Sequence, residues 1–180
     1  SAIYYLYDLK TKKIQPLDSS HEPQTLAEYS PDGTKVSYIH KNNLYVKDLG
    51  TGNVSQLTND GSTNAIINGT TDWVYEEEFA ITKAYGWSPD NKTIAYLKFD
   101  ESAVKYFNMN FFNDLYPELY TFKYPKAGED NSKVTAHLVT IADGTSKKIE
   151  LGEYEYIPRL KWSNNENKLI IQTLNRHQNH

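Results

Sequence analysis

Short runs of alternating hydrophobic and polar residues, separated by tight polar turns, make up most of the chain. Thr34–His40 alternates, Lys41-Asn42-Asn43 turns the chain, and Leu44–Asp48 alternates again. The run Val54–Leu57 follows a further turn at Thr51-Gly52-Asn53. Alternation with period two, bounded by Asn, Asp and Gly, is typical of the strands of an antiparallel meander. The pattern therefore predicts an all-β chain.

The meander repeats along the sequence. Tyr29–Tyr38 matches Trp87–Tyr96, and Trp162–Ile170 is a more divergent copy. Each copy has an aromatic residue at a strand end, a turn of Ser-Pro-Asp type and an apolar strand. Such a repeat indicates β-propeller blades, which need about four to eight copies to close a ring. We predict a partial β-propeller of about three blades of four-stranded antiparallel sheet, forming an open arc.

Two insertions interrupt the predicted repeats, and the second is rich in aromatic residues. The predicted segments of this one propeller domain are the end of a blade (1–20), a blade (26–59), an insertion (60–83), a blade (84–152) that contains the insertion 100–132, and the start of the next blade (153–180). Long insertions on a repeat scaffold often carry function. We expect the aromatic part, 106–124, to be a hairpin that packs on another blade or on a second copy of the chain.

Composition narrows the classes of function. Nineteen basic and 23 acidic residues give a net charge of −4, which argues against a nucleic-acid partner. The absence of cysteine excludes disulfides and thiolate chemistry. The five histidines show neither HxxxH nor HExxH spacing, so the sequence predicts no metal site. No cofactor is predicted.

The stretch with the most evident chemistry is Asp72-Trp73-Val74-Tyr75-Glu76-Glu77-Glu78-Phe79. Asp72 is a candidate helix N-cap, and acidic residues in the first turns suit the helix dipole. On a helix, Glu77 and Glu78 lie about 100° apart, which lets both approach one cation. Carboxylates only accept hydrogen bonds, so a pair of them matches an ammonium group. The alternative is a solvated acidic turn without a ligand.

Together with its surroundings, this stretch resembles the propeller domain of the dipeptidyl peptidase IV family, serine exopeptidases of the prolyl oligopeptidase type. The matching segments are Asp72–Phe79, Tyr85–Asp90, Ile94–Tyr96, Tyr124–Gly128, Val134–Ile141 and Leu174–Asn179. They follow one order and cover essentially the whole chain. The Asp-Trp-Val-Tyr-Glu-Glu-Glu string is the most specific of them. The rings of Tyr75, Tyr85 and Trp87 are expected in the core.

The resemblance implies an N-terminal propeller joined to a C-terminal α/β-hydrolase domain, which is absent from this chain. It implies release of Xaa-Pro or Xaa-Ala dipeptides from peptide N-termini. Glu77 and Glu78 would bind the α-ammonium of the substrate, and Glu76 would point elsewhere. The implied partners are peptides with Pro or Ala at the second position, the hydrolase domain of the same chain, and a second copy in a homodimer. We expect an exported bacterial parent, in the periplasm or cell envelope.

No residue of this chain is predicted to be catalytic. The G-x-S-x-G motif is missing, and Gly86–Asp90 matches it for three residues only, since Asp90 replaces the final glycine. A nucleophile elbow joins a strand to a helix, whereas Ser88 falls between two predicted strands. Ser88 is therefore predicted to be a turn residue, and neither Arg159 nor Arg176 is assigned to the substrate. The alternative function is a non-catalytic propeller scaffold for protein–protein binding.

Overall fold

The computed structural model describes residues 2–164 and 167–180, and that part of the chain contains fifteen strands and one short helix. In chain order the strands are β1 (Tyr5–Tyr7), β2 (Ile14–Pro16), β3 (Thr25–Tyr29), β4 (Lys35–His40), β5 (Asn43–Asp48), β6 (Val54–Gln56), β7 (Ile66–Asn68), β8 (Tyr85–Trp87), β9 (Thr93–Asp100), β10 (Tyr106–Phe111), β11 (Glu118–Lys123), β12 (Lys133–Thr140), β13 (Ser146–Lys148), β14 (Tyr156–Trp162) and β15 (Leu169–Leu174). The helix α1 spans Trp73–Glu77. No helix within the described ranges is long and apolar enough to cross a membrane. The prediction of an all-β chain with a short helix at the Glu triplet is confirmed.

A four-stranded antiparallel meander, β3-β4-β5-β6, forms the first large sheet. Its central strands are buried on both faces. The reason is that two hydrophobic clusters flank the sheet. Val36 and Tyr38 pack towards β1 with Leu6, whereas Ile39 and Val46 pack with residues of β8 and β9.

The second large sheet has the order β13-β12-β9-β7, and β8 pairs with the other end of β9. Strand β9 therefore has two neighbours on one edge: Tyr85 of β8 opposes Tyr96, and Ile67 of β7 opposes Phe99. On its other edge β9 pairs with the whole of β12. The β10–β11 hairpin leaves the sheet at the end of β9 and returns at the start of β12, so its root lies at one end of the sheet.

Tryptophans at the repeated aromatic position join neighbouring sheets. The Nε1 of Trp87 donates to Ser37 Oγ at 2.8 Å, and the Nε1 of Trp162 donates to the carbonyl of Gly86 at 2.9 Å. Trp87, Tyr75 and Tyr85 are buried, as predicted. In these two copies the repeat therefore places a large ring with one polar N–H group where two sheets meet.

The repeated serines have one turn geometry. The hydroxyl donates to the aspartate two residues later, at 2.6 Å for Ser30 and 2.7 Å for Ser88. It also accepts from the backbone N–H five residues later, at 2.9 and 3.0 Å. Ser163 accepts at 3.2 Å in the same way, while Asn165 and Glu166 of this third copy lie outside the described residues. The division of the chain into blades stays a prediction.

A buried carboxylate connects β2 with the first large sheet. Asp18 is 5% exposed and accepts hydrogen bonds from the Tyr38 hydroxyl, from Ser20 N at 2.8 Å and from His21 Nδ1 at 2.5 Å. Burial alone would raise the pKa of Asp18, but the hydrogen bonds from Tyr38, Ser20 and His21 outweigh burial and hold that pKa below its ordinary value of 3.8.

The substitution Asp18→Asn is expected to lower the free energy of unfolding at pH 7 by about 1–3 kcal/mol, because buried donors lose a charged acceptor. Since the folded-state pKa of Asp18 is depressed, this stabilisation is present above pH 3.8 and is lost as the pH falls through the folded value. Urea unfolding at pH 7 and near pH 3 measures the difference between the two proteins. The control is Asp130→Asn, at an exposed position. The assignment would be contradicted if both variants lost the same free energy of unfolding, or if the difference between Asp18→Asn and the unmodified protein grew in acid.

Candidate functional site

The helix α1 begins at Asp72, whose backbone is extended and whose carboxylate accepts from Tyr75 N at 3.0 Å. The helix ends at Glu77, and the N–H of the capping residue Glu78 donates to the carbonyl of Val74 at 2.8 Å. The predicted N-cap is confirmed, and Glu78 lies at the C-terminal cap. So short a helix makes few internal hydrogen bonds, so its stability depends on contacts with the rest of the fold.

The apolar side of α1 packs on the second large sheet and on β14. Tyr75 is 2% exposed, and its ring meets Phe99 edge to face with 4.8 Å between centroids. Its hydroxyl accepts from the backbone N–H of Ile157 at 2.8 Å. Just after the helix, the ring of Phe79 lies 5.4 Å from that of Tyr156. These contacts hold the helix between two sheets.

Beneath the helix start lies a cluster of buried charges. Asp72 is 7% exposed, and its second carboxylate oxygen accepts from Ser132 Oγ at 2.6 Å. Burial raises the pKa of Asp72 against the opposing hydrogen bonds from Ser132 and Tyr75. Burial also raises the pKa of Glu101, with a further contribution from the charge of Asp72 and an opposing one from Lys123. The helix start therefore depends on a donor that the aromatic insertion supplies, the hydroxyl of Ser132.

The segment Tyr124-Pro125-Lys126-Ala127-Gly128 lies beside α1. The rings of Trp73 and Tyr124 meet at 4.5 Å between centroids, inclined by 69°. The two most specific strings of the sequence resemblance are therefore neighbours in space. The sequence offered no sign of this contact, since the two rings come from separate insertions.

The three glutamates Glu76, Glu77 and Glu78 are exposed. Among residues 2–164 and 167–180, no basic side chain forms an ion pair with any of them. Glu78 lines a cleft of about 350 Å³. Other residues around this cleft include Trp73, Tyr124, Lys126, Tyr156 and Arg176. Glu77 precedes Glu78 in the chain but does not line this cleft.

The two arginines near the cleft are bound to protein acceptors. Arg176 donates to Glu155 Oε1 at 3.2 Å and to the carbonyl of Glu129 at 2.7 Å. Arg159 donates to the carbonyl of Pro158 at 2.6 Å, with a longer contact of 3.4 Å to that of Phe79. Because these groups already engage the guanidinium ions, Glu77 and Glu78 keep their charge available to an incoming cation.

A larger groove of about 640 Å³ lies between β3, β8 and β14, and none of the three glutamates lines it. Ser88 lies nearby, in the turn between β8 and β9. In the described part of the chain no histidine bonds to the Ser88 hydroxyl. This hydroxyl instead donates to Asp90 and accepts from the backbone N–H of Thr93. Ser88 therefore lacks the base that a serine nucleophile needs.

The arrangement suits a cation rich in N–H donors. Two consecutive carboxylates, unpaired by the described residues, lie at the end of a helix that the fold holds through Asp72 and Tyr75. Carboxylate oxygens can accept several charge-assisted hydrogen bonds from one ammonium group.

Comparison with known proteins gives one consistent result. The family described as "Dipeptidyl peptidase IV (DPP IV) N-terminal region" matches residues 1–180. The crystal structure of Porphyromonas gingivalis dipeptidyl peptidase 4 superposes with a TM-score of 0.92 at 42% identity, covering 97% of this chain and 25% of that one. This confirms the prediction of a partial propeller.

Two similar proteins illustrate the range of relatives. Dipeptidyl peptidase 4 of Felis catus is 33% identical over 196 residues, which cover 100% of this chain and 25% of that protein. Dipeptidyl aminopeptidase B of Saccharomyces cerevisiae is 33% identical over 174 residues, covering 93% of this chain and 20% of the relative. The chain thus spans a fifth to a quarter of the length of these relatives. By its sequence and its fold, it belongs to the family of the dipeptidyl peptidase IV N-terminal region.

Proposed function

We propose that this chain is the part of a dipeptidyl peptidase IV-like serine peptidase that binds the N-terminus of the substrate and gates its access. In this proposal Glu77 and Glu78 together bind the α-ammonium. The single observation that carries the proposal is the pair of consecutive exposed carboxylates, without a basic partner in the described residues, on a helix whose other side is buried.

Charge explains why such a pair selects a free N-terminus. An α-ammonium brings three N–H donors and a positive charge, whereas an internal amide brings one donor and no charge. Binding the terminus fixes the register of the peptide. The scissile bond then falls after the second residue, for which we propose Pro or Ala.

The chemistry of bond cleavage is assigned to a C-terminal α/β-hydrolase domain of the same polypeptide. The turn geometry of Ser88 supports this assignment, because it leaves the described residues of this chain without an activated serine. The relatives named above are four to five times longer than the matched region, which leaves room for such a domain.

Dipeptide binding to the intact protein tests the proposal. Glycyl-proline is expected to bind measurably in isothermal titration calorimetry. N-acetylglycyl-proline is expected to bind at least about tenfold more weakly, because acetylation removes the positive charge and leaves one N–H donor, and a single charge-assisted hydrogen bond is already worth about tenfold. Equal affinities for the two dipeptides would show that the free amine is not recognised and would favour the scaffold alternative.

We also propose that the β10–β11 hairpin contacts a second copy of the chain. Its exposed large apolar residues are Tyr106, Met109, Phe111, Phe112, Leu115, Tyr116, Leu119 and Tyr120. A surface of this kind is characteristic of protein interfaces. Aromatic side chains and Met are also enriched at such interfaces.

The double substitution Phe112→Ser with Tyr116→Ser is expected to convert a dimer of the intact protein into a monomer, because these side chains are 76% and 81% exposed and would lose their apolar contacts with the partner. Light scattering coupled to size exclusion measures the mass. Leu9→Ser, at a 75% exposed position on another turn, is the control and is expected to leave the dimer intact. A monomeric unmodified protein, or a dimer that survives the double change, would contradict the proposal.

A further inference from the structure

A single buried hydroxyl joins the aromatic insertion to the start of α1. Ser132 directly precedes β12, at the point where the chain returns from the insertion to the sheet. Its Oγ donates to one oxygen of Asp72 at 2.6 Å, while the other oxygen of Asp72 accepts from Tyr75 N. One carboxylate therefore links the insertion to the helix N-terminus.

The two ends of the β10–β11 hairpin are also fastened to each other. Lys123 is 8% exposed, and its Nζ donates to the carbonyls of Val104 at 2.6 Å and Ser102 at 3.1 Å. The next residue, Tyr124, contacts the ring of Trp73 in the first turn of α1. The helix therefore rests on a closed root of the insertion, not on a free loop.

Burial makes the Ser132–Asp72 hydrogen bond important. Both residues are 7% exposed, so water does not readily replace a lost donor. Glu101 is a second buried carboxyl group nearby, and its pKa is raised first by burial and then by the charge of Asp72. Without the hydroxyl, Asp72 would keep one donor in a buried acidic environment, and the helix start would lose part of its support.

We propose that Ser132 is a positioning residue for recognition of the peptide N-terminus. Through Asp72 it fixes the start of α1. Because α1 has only five residues, the position of its start also sets the position of Glu77 and Glu78 at its other end. This inference rests on the proposed function. It assigns to the insertion a role in substrate binding in addition to any contact with a second copy.

The test compares Ser132→Ala with Ser132→Thr in the intact peptidase. For a Gly-Pro substrate with a free amine, Ser132→Ala is expected to raise KM roughly five- to tenfold with kcat nearly unchanged, the scale of one hydrogen bond. Ser132→Thr, which keeps the hydroxyl, is expected to restore KM. The rate of inactivation by a small fluorophosphonate without an amine is expected to stay unchanged in both variants.

A matched control separates positioning from general stability. Ser37 is also buried, and its hydroxyl accepts a hydrogen bond from Trp87 Nε1, which joins β4 to β8 away from α1. Ser37→Ala is expected to lower the unfolding temperature without raising KM. If Ser132→Ala does not fold, Ser132→Cys retains most of the side-chain volume with a weaker donor and carries the same expectation of a raised KM.

Comparison with the glutamate variants shows which proposal fails. In a background that carries both Glu77→Gln and Glu78→Gln, Ser132→Ala is expected to have no further effect on KM. If the glutamate changes raise KM but Ser132→Ala does not, or if its effect persists in that background, the positioning role is wrong and the proposed function stands. If the glutamate changes themselves leave KM unaltered, the proposed function fails and the inference fails with it.

Discussion

Replacing either Glu77 or Glu78 with glutamine is expected to lower kcat/KM of the intact peptidase by a hundredfold or more, mainly through a higher KM. Glutamine keeps the size of the side chain but removes its charge. Once the substrate amine has been taken out of water, loss of one charged partner costs about 3–5 kcal/mol, which exceeds the roughly 2.8 kcal/mol of a hundredfold change. Steady-state kinetics with a Gly-Pro substrate measures the loss.

Glu76→Gln is the matched control, since Glu76 is exposed on the same helix but is predicted to point away from the substrate. We expect its kcat/KM to stay within about twofold of the unmodified enzyme, as for a surface change of about 0.5 kcal/mol or less. Inactivation by an amine-free fluorophosphonate should not distinguish the three variants. Unchanged turnover in both Glu77→Gln and Glu78→Gln would overturn the assignment of the ammonium site.

Tyr75→Ala is expected to produce the largest loss of stability, about 3–5 kcal/mol in the free energy of unfolding. The ring of Tyr75 fills the space between α1 and Phe99, and its hydroxyl accepts from Ile157 N. Removing it leaves a cavity beneath the helix and an unpaired buried N–H. The position of Glu77 and Glu78 should suffer as well, so KM for the free-amine substrate is expected to rise.

Tyr75→Phe separates the two contributions, because it keeps the ring and removes only the hydroxyl. Its expected cost is about 1–3 kcal/mol, the range for a buried group left without a partner. Denaturant unfolding of the three proteins gives the ranking. A Tyr75→Phe variant as unstable as Tyr75→Ala, or a Tyr75→Ala variant of native stability, would show that packing against Phe99 does not support the helix.

Local patterns predicted local structure well. The alternation between Lys35 and Asp48 indicated two strands and the turn between them, which the structure confirms. Asp72 indicated a helix start, because an aspartate side chain can reach a backbone N–H three residues on without help from the rest of the fold. The Ser-Pro-Asp turns were predictable for the same reason, since each closes with hydrogen bonds inside a few residues.

Contacts between distant residues were not predictable from one sequence. Nothing local marks Ser132 as the partner of Asp72 or Tyr124 as the partner of Trp73. The burial of both faces of β4 was not predictable either, because it depends on hydrophobic clusters that distant segments build on each side of the sheet. The predicted export of the parent protein stays a prediction.

By itself, the sequence determined the strands, the repeated turns, the capped helix and the family, because these depend on side-chain type and short spacing along the chain. Only the tertiary structure decided that the helix rests on the root of the aromatic insertion, and that Glu78 borders a cleft beside Arg176. The physical reason is that hydrogen bonds such as that between Asp72 and Ser132 join residues 60 positions apart, and folding alone brings them together.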